Sequence, residues 1–274
     1  MINVSDEKAF WKAWLGAKSD KTDSHDDAPA SAKDPLEEGL EELSWIDSSR
    51  AAVRRIRKKT QETLGEEIGN SISHGVMALL MLCLIPFASV RAYTHAPQGM
   101  EIIDAVGASV FCIGVFLMFL ASTVYHSMAH GTKHKSVMNR IDHIMIFVAI
   151  AGTYTPICLS IIGGVLGIVL CCLQWALVVA GALFKALAFS KTVKSYIITI
   201  SIYILMGWMV ALCFPILISG TTAPAFWLIL AGGICYTSGV VSFAMKFPFA
   251  HMVWHFLVDA GAICHFLAIV LFLR

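Results

Sequence analysis

The chain has 274 residues, of which 57% are hydrophobic and 14% are charged. Soluble globular domains carry about 25% charged residues, so this composition excludes an ordinary soluble protein. The net charge of +1 averages two different regions of the chain, and we expect no nucleic-acid partner.

The first region is a polar segment, residues 1–64. Of the 19 acidic residues, 15 lie within the first 67 positions. Residues 16–35 have the composition of a disordered linker, and residues 36–46 and 48–64 have helical composition. We therefore predict a cytosolic N-terminal extension that is partly disordered with short helices. The sequence does not identify a protein partner for it.

The second region, residues 65–274, is rich in long apolar stretches. A bilayer core about 30 Å thick requires roughly 20 apolar residues per helix. The run between positions 141 and 184 is too long for one span and is divided by a turn at residues 160–164. We predict an all-α integral membrane protein, a bundle of seven transmembrane helices. The predicted spans are 72–93, 103–126, 141–160, 165–184, 195–217, 223–245 and 249–273.

The basic residues between these spans predict the orientation of the bundle. From Arg50 onward, thirteen lysines and arginines flank the spans on the side of the N-terminus, whereas the opposite side has only Arg91 and Arg274. Cytoplasmic loops carry the excess of basic residues. We therefore predict a cytosolic N-terminus, an outside C-terminus and a multi-pass location in the inner (plasma) membrane of the cell.

Three histidines at span ends form the most specific pattern. His126 ends the second span, and His251 and His255 lie four residues apart on one face at the start of the seventh. Ionisable residues within a membrane are costly and mark functional sites. The topology places all three histidines at the cytosolic end of the bundle. Three histidines with an open fourth position are typical of catalytic zinc, so we expect these residues to bind Zn²⁺. Each of them alone could instead be an interfacial residue with a satisfied hydrogen bond.

Two further polar residues are candidates for catalysis. Asp142 opens the predicted third span at the same end and could hold a water molecule or act as a base. It could instead cap that helix or pair with Arg140. Ser122 lies four residues before His126, on the same helical face, and could support the water or orient a ligand.

Other residues could support the three histidines. Asp259 lies one helical turn beyond His255 and could accept its second imidazole N–H, or could face a water-filled cavity. His74 and His143 lie near the right depth to assist. His265 is about 15 Å deeper than His255, at 1.5 Å per residue, and is expected to bond within the bundle. His130 and His134, in the basic loop between the second and third predicted spans, are expected to be solvated.

Six ordered motifs together resemble the haemolysin III family. They are 66–75 (EEIGNSISHG), 121–126 (ASTVYH), 141–143 (IDH), 151–156 (AGTYTP), 206–208 (MGW) and 251–255 (HMVWH). That family belongs with the progestin and adipoQ receptors and, more distantly, with alkaline ceramidases. The resemblance covers about residues 65–274.

The resemblance implies a seven-helix fold with zinc on His126, His251 and His255. It also implies that Asp142 matches the aspartate that engages the zinc-bound water, and that Ser122 is the serine of the SxxxH motif. Asp259 departs from the bacterial pattern, in which an apolar residue is usual.

Three functions remain open. The first is a zinc-dependent lipid hydrolase, such as an amidase, acting in membrane lipid homeostasis with a membrane lipid as substrate or ligand. The second is a non-enzymatic, receptor-like sensor or regulator of the membrane with structural zinc. The third is a pore-forming cytolysin, which we rank lowest because seven spans leave no soluble form to secrete.

Overall fold

A computed structural model describes residues 62–187, 193–245 and 247–273. It separates a unit Leu64–Arg274, described below, from a unit Met1–Thr63. The linker and short helices predicted before residue 62 lie outside the described residues, as do the predictions about their partner.

The membrane unit is built of helices. Across the described ranges the α-helices are α1 (Leu64–His95), α2 (Glu101–Ser127), α3 (Lys133–Pro156), α4 (Gly164–Leu187), α5 (Val193–Trp208), α6 (Phe214–Gly220), α7 (Ala223–Ala244) and α8 (Ala250–Phe266). A 3-10 turn, Met209–Cys213, joins α5 to α6, and π-helical turns extend α3 through Ile162 and α8 through Leu271. The described residues contain seven helical segments long and apolar enough to cross a membrane, which confirms the predicted fold class.

Two helices begin eight residues earlier than predicted. Helix α1 starts at Leu64 and α3 at Lys133, because both continue from the bilayer into polar sequence. The Thr132 side chain accepts a hydrogen bond from the Lys135 backbone and caps α3. Asp142 therefore does not cap this helix, as one alternative proposed, but lies well inside it. Its other proposed partner, Arg140, donates from Nη1 to the Ala186 carbonyl at 3.2 Å.

The predicted break between the third and fourth spans is present. The π-helical turn ends where Gly163 (φ 62°) and Gly164 (φ 55°) adopt left-handed backbone conformations that glycine tolerates without strain. The Gly163 N–H donates to the Cys158 carbonyl at 2.9 Å. The chain can thus reverse direction within a few residues and start α4.

Helices α2 and α3 approach closely through small residues. A Cβ atom added to Gly114 would lie 3.2 Å from the Val148 carbonyl oxygen, and one added to Gly152 would lie 3.1 Å from that of Val110. Small residues at such contacts let membrane helices pack closely. The antiparallel register that follows fixes which side chains of the two helices share a level.

The main hydrophobic core is formed by helices from the beginning and the end of the membrane unit. Buried apolar side chains from α1, α2, α3 and α8 form one cluster, including Met81, Phe111, Phe119, Val258 and Phe266. The outer surface is apolar as well, as Val165 (79% exposed) and Leu212 (81% exposed) show. Such a surface suits contact with lipid acyl chains. Helix α8, the last of the described α-helices, thereby packs against α1.

Candidate metal centre

Three imidazole rings meet at one end of the bundle. The centroids of His126, His251 and His255 lie 4.9–5.0 Å from one another, and the three ring planes are inclined at 62–88°. One nitrogen from each ring lies within 4.8 Å of the others. A single metal ion could contact all three.

The helix directions explain this convergence. His126 is the penultimate residue of α2, and His251 and His255 occupy the first two turns of α8. Because α2 arrives at the end of the bundle from which α8 departs, the three side chains share one level. The structure thus brings together the three histidines that the sequence placed at one depth.

His255 has the surroundings of a metal ligand. It is fully buried, and its Nδ1 lies 3.2 Å from the Ser73 hydroxyl. Its Nε2 is also buried and has no hydrogen-bond partner among the described residues. An unsatisfied imidazole nitrogen in an apolar bundle is costly, and a metal ion would satisfy it. Since three histidine nitrogens are a ligand set of catalytic zinc sites, these residues fit a zinc ion.

A buried carboxylate that the sequence analysis missed contacts His126. Oε2 of Glu67, in the first turn of α1, lies 2.8 Å from His126 Nδ1. Its Oε1 lies 2.8 Å from Lys135 Nζ and 3.0 Å from His130 Nε2. His130, which was expected to be solvated, has a side chain that is 42% exposed but also contacts this carboxylate.

A sequence signal for Glu67 exists. Glu67, Asn70, His74, Met77 and Met81 follow one another at spacings of three or four residues, and all are buried. This is the period of one helical face. The polar residues therefore continue the buried stripe of the first span toward the end of the bundle.

Both candidate catalytic residues lie one turn deeper than His126. The contact of Gly114 with Val148 and Ala149 places Ser122, eight residues further along α2, level with Asp142 on the antiparallel α3. Asp142 is buried, and its Oδ2 lies 3.6 Å from His143 Nδ1. The Ser122 hydroxyl is buried without a hydrogen-bond partner among the described residues. Within those residues, the three-histidine donor group does not include Asp142.

Asp259 lies beside His74 rather than His255. Its Oδ1 is 3.7 Å from His74 Nε2, while Ser73 occupies the expected place on His255 Nδ1. The His74 ring is stacked on His255 with centroids 3.6 Å apart.

His143 and His265 both lie close to backbone carbonyl groups. His143 Nδ1 lies 2.6 Å from the Asn139 carbonyl, one turn back on α3, and the His143 carbonyl accepts from the Tyr203 hydroxyl at 2.6 Å. His265 Nε2 lies 3.1 Å from the Ile229 carbonyl, so it bonds within the bundle as predicted.

Fold and site together define a class: seven-helix integral membrane proteins with three clustered imidazoles at one end of the bundle. A family model described as "Haemolysin-III related" matches residues 62–266. The chain belongs to the haemolysin III-related family, as its motifs indicated. Its predicted location, the plasma membrane as a multi-pass protein, is likewise confirmed.

Individual relatives extend the comparison. The chain is 32% identical over 211 residues to a hemolysin-3 homolog of Bacillus subtilis, covering 77% of this chain and 95% of the relative. It is 33% identical over 208 residues to hemolysin-3 of Bacillus cereus, covering 76% of this chain and 91% of that relative. The human monocyte to macrophage differentiation factor is 26% identical over 172 residues, covering 61% of this chain and 70% of that relative.

Proposed function

We propose that this protein is a zinc-dependent lipid hydrolase acting in membrane lipid homeostasis, with the amide bond of a membrane lipid as the preferred target. His126, His251 and His255 hold the ion. The observation that supports this most directly is the meeting of three imidazole rings around one point, with the buried Nε2 of His255 lacking a partner among the described residues.

The surrounding residues have roles in this proposal. A bound zinc ion supplies Lewis-acid chemistry and lowers the pKa of water to about 7. Asp142 positions the attacking water and accepts its proton, a role typically worth about 10²–10⁴-fold in rate. The Ser122 hydroxyl, buried at the same level, donates a hydrogen bond that orients the ligand.

The proposed substrate follows from the position of the cluster. The excess of lysine and arginine on one side of the spans supports a cytosolic location for this end of the bundle. The histidines lie within one or two turns of the helix ends. A site at that depth suits a lipid whose scissile bond lies just below the headgroups of the cytosolic leaflet.

Lipid turnover by the purified full-length protein in lipid bilayers tests this function. Wild type should hydrolyse a ceramide-like or phospholipid substrate, and Asp142→Asn should retain zinc but lose turnover. Asp104→Asn replaces another buried helical carboxylate, near the start of α2 at the opposite end of the bundle, and should behave as wild type. Absence of turnover by wild type on both substrate classes would overturn the hydrolase.

A regulator with structural zinc is the second candidate. It is favoured by the surroundings of Asp142, whose Oδ2 lies 3.6 Å from His143 Nδ1 and outside the three-histidine group. The human relative also carries the name of a differentiation factor. This function expects wild-type zinc content without lipid turnover, and Asp142→Asn indistinguishable from wild type.

The two Bacillus relatives carry the name hemolysin. Lysis of red cells by purified protein would favour the third candidate, a cytolysin. The apolar outer surface of the described spans argues for a resident membrane protein instead.

A further inference from the structure

Glu67 is a buried ionisable residue, and burying a charged side chain costs free energy. It lies in the first turn of a membrane-crossing helix and is only 5% exposed. A buried carboxylate is retained when it is paired and hydrogen-bonded. The identity of its partners therefore indicates what it does.

The two carboxylate oxygens have different partners. Oε2 accepts from the His126 imidazole at 2.8 Å, and Oε1 accepts from Lys135 Nζ, also at 2.8 Å. Lys135 Nζ also donates to the Met128 carbonyl at 3.0 Å and lies 4.8 Å from the centre of the Tyr125 ring. The carboxylate thus joins the start of α1 to the end of α2 and the start of α3.

The contact with His126 has a chemical consequence for that ring. When a carboxylate accepts the Nδ1–H of an imidazole, it fixes the tautomer with the lone pair on Nε2. It also fixes the ring orientation and makes the nitrogen a more basic ligand. At His255, Nδ1 lies 3.2 Å from the Ser73 hydroxyl, which is a weaker partner than an ionised carboxylate.

We propose that Glu67 is the positioning residue of the metal centre: it orients His126 toward the ion, while Lys135 anchors the carboxylate. This inference rests on the proposed zinc site. It assigns to Glu67 no contact with the ion or the substrate. Its loss should therefore weaken metal binding without removing a ligand.

Zinc affinity of the full-length protein in detergent micelles, measured by competition with a chelator, tests the inference. Glu67→Gln removes the charge of the side chain. Glu67→Asp keeps the charge but has a shorter side chain. The flexible Lys135 can still reach this carboxylate, whereas the rigid His126 ring cannot move to meet it. Both should bind zinc about 10–100-fold more weakly, the usual effect of losing such a support. Asp104→Asn, the matched buried carboxylate, should bind zinc as wild type does.

Thermal unfolding with and without zinc separates positioning from folding. A positioning role predicts that the rise in melting temperature caused by zinc shrinks in both Glu67 variants. If Glu67 serves only the fold, the metal-free melting temperature falls while zinc affinity and the zinc-induced rise stay at wild-type values. That outcome overturns the inference and leaves the zinc site intact. A wild-type protein without zinc affinity overturns the proposed function itself.

Discussion

His74 of α1 is stacked on His255 of α8, with ring centroids 3.6 Å apart and planes inclined by 13°. The edge of the same His74 ring meets Phe119 of α2 at 4.9 Å. The ring of His74 is thus almost fully buried and packs against the ring of a proposed metal ligand. Its contribution is to the packing of three helices around the site.

Replacing His74 should therefore affect stability more than metal content. His74→Ala leaves a void in the core and should lower the free energy of unfolding by about 2–5 kcal/mol. His74→Phe keeps a ring for the stack and should recover most of that loss. Both variants should bind one equivalent of zinc, measured by metal analysis of purified protein. Loss of zinc in His74→Phe would show that His74 is itself a ligand.

The three clustered histidines should each be needed for the metal. Wild type prepared without chelator should contain about one zinc, as expected for a single site with three protein ligands. His251→Ala and His255→Ala should each lose most of it, and the double variant should lose all. His95→Ala changes an exposed histidine at the end of α1 and serves as the control. Full zinc occupancy in the double variant would contradict the site.

The close approach of α2 and α3 should be sensitive to a single methyl group. Gly152→Ala would place a Cβ atom 3.1 Å from the Val110 carbonyl, so the helices must separate. The expected cost is about 1–3 kcal/mol of unfolding free energy, as for other overpacked interiors. Gly207→Ala, where nothing lies within 4 Å, should instead be neutral or stabilising by up to about 1 kcal/mol. Thermal unfolding in detergent compares the pair, and equal melting temperatures would exclude the packing argument.

The predicted orientation can be tested at two exposed positions, one at each end of the bundle. After Cys83 and Cys172, the two exposed native cysteines, are replaced by serine, cysteine is introduced at Gln98 or at Lys133. A membrane-impermeant maleimide applied to intact cells should label Gln98→Cys. It should label Lys133→Cys only after the membrane is permeabilised. The reverse pattern would place the histidine cluster at the outer face.

The sequence was most informative where one simple physical requirement dominates. Crossing a bilayer requires a long apolar helix, so seven spans and the turn before Gly164 could be predicted. The meeting of His126 with His251 and His255 followed from span order alone, because alternate helices run in opposite directions. A chain of apolar runs thus specifies which ends of its helices share a level.

Features set by contacts between helices were harder to predict. Glu67 was missed because the first span was predicted to start at position 72, eight residues beyond the true start of α1. Asp259 was expected either to contact His255, its neighbour one turn back, or to face a water-filled cavity, but its Oδ1 lies 3.7 Å from His74 Nε2 on another helix. Hydropathy measures the preference for lipid and carries no information on how two helices rotate against each other.

The residues of the metal centre are far apart in the chain, since 125 positions separate His126 from His251. Two of the three proposed donor side chains lie on α8, which follows six other spans in the chain. A nascent chain that has inserted six helices holds His126 and Glu67 but has no cluster. On the proposed zinc site, metal capture must wait for the synthesis of α8, and truncated products lacking α8 should not bind zinc.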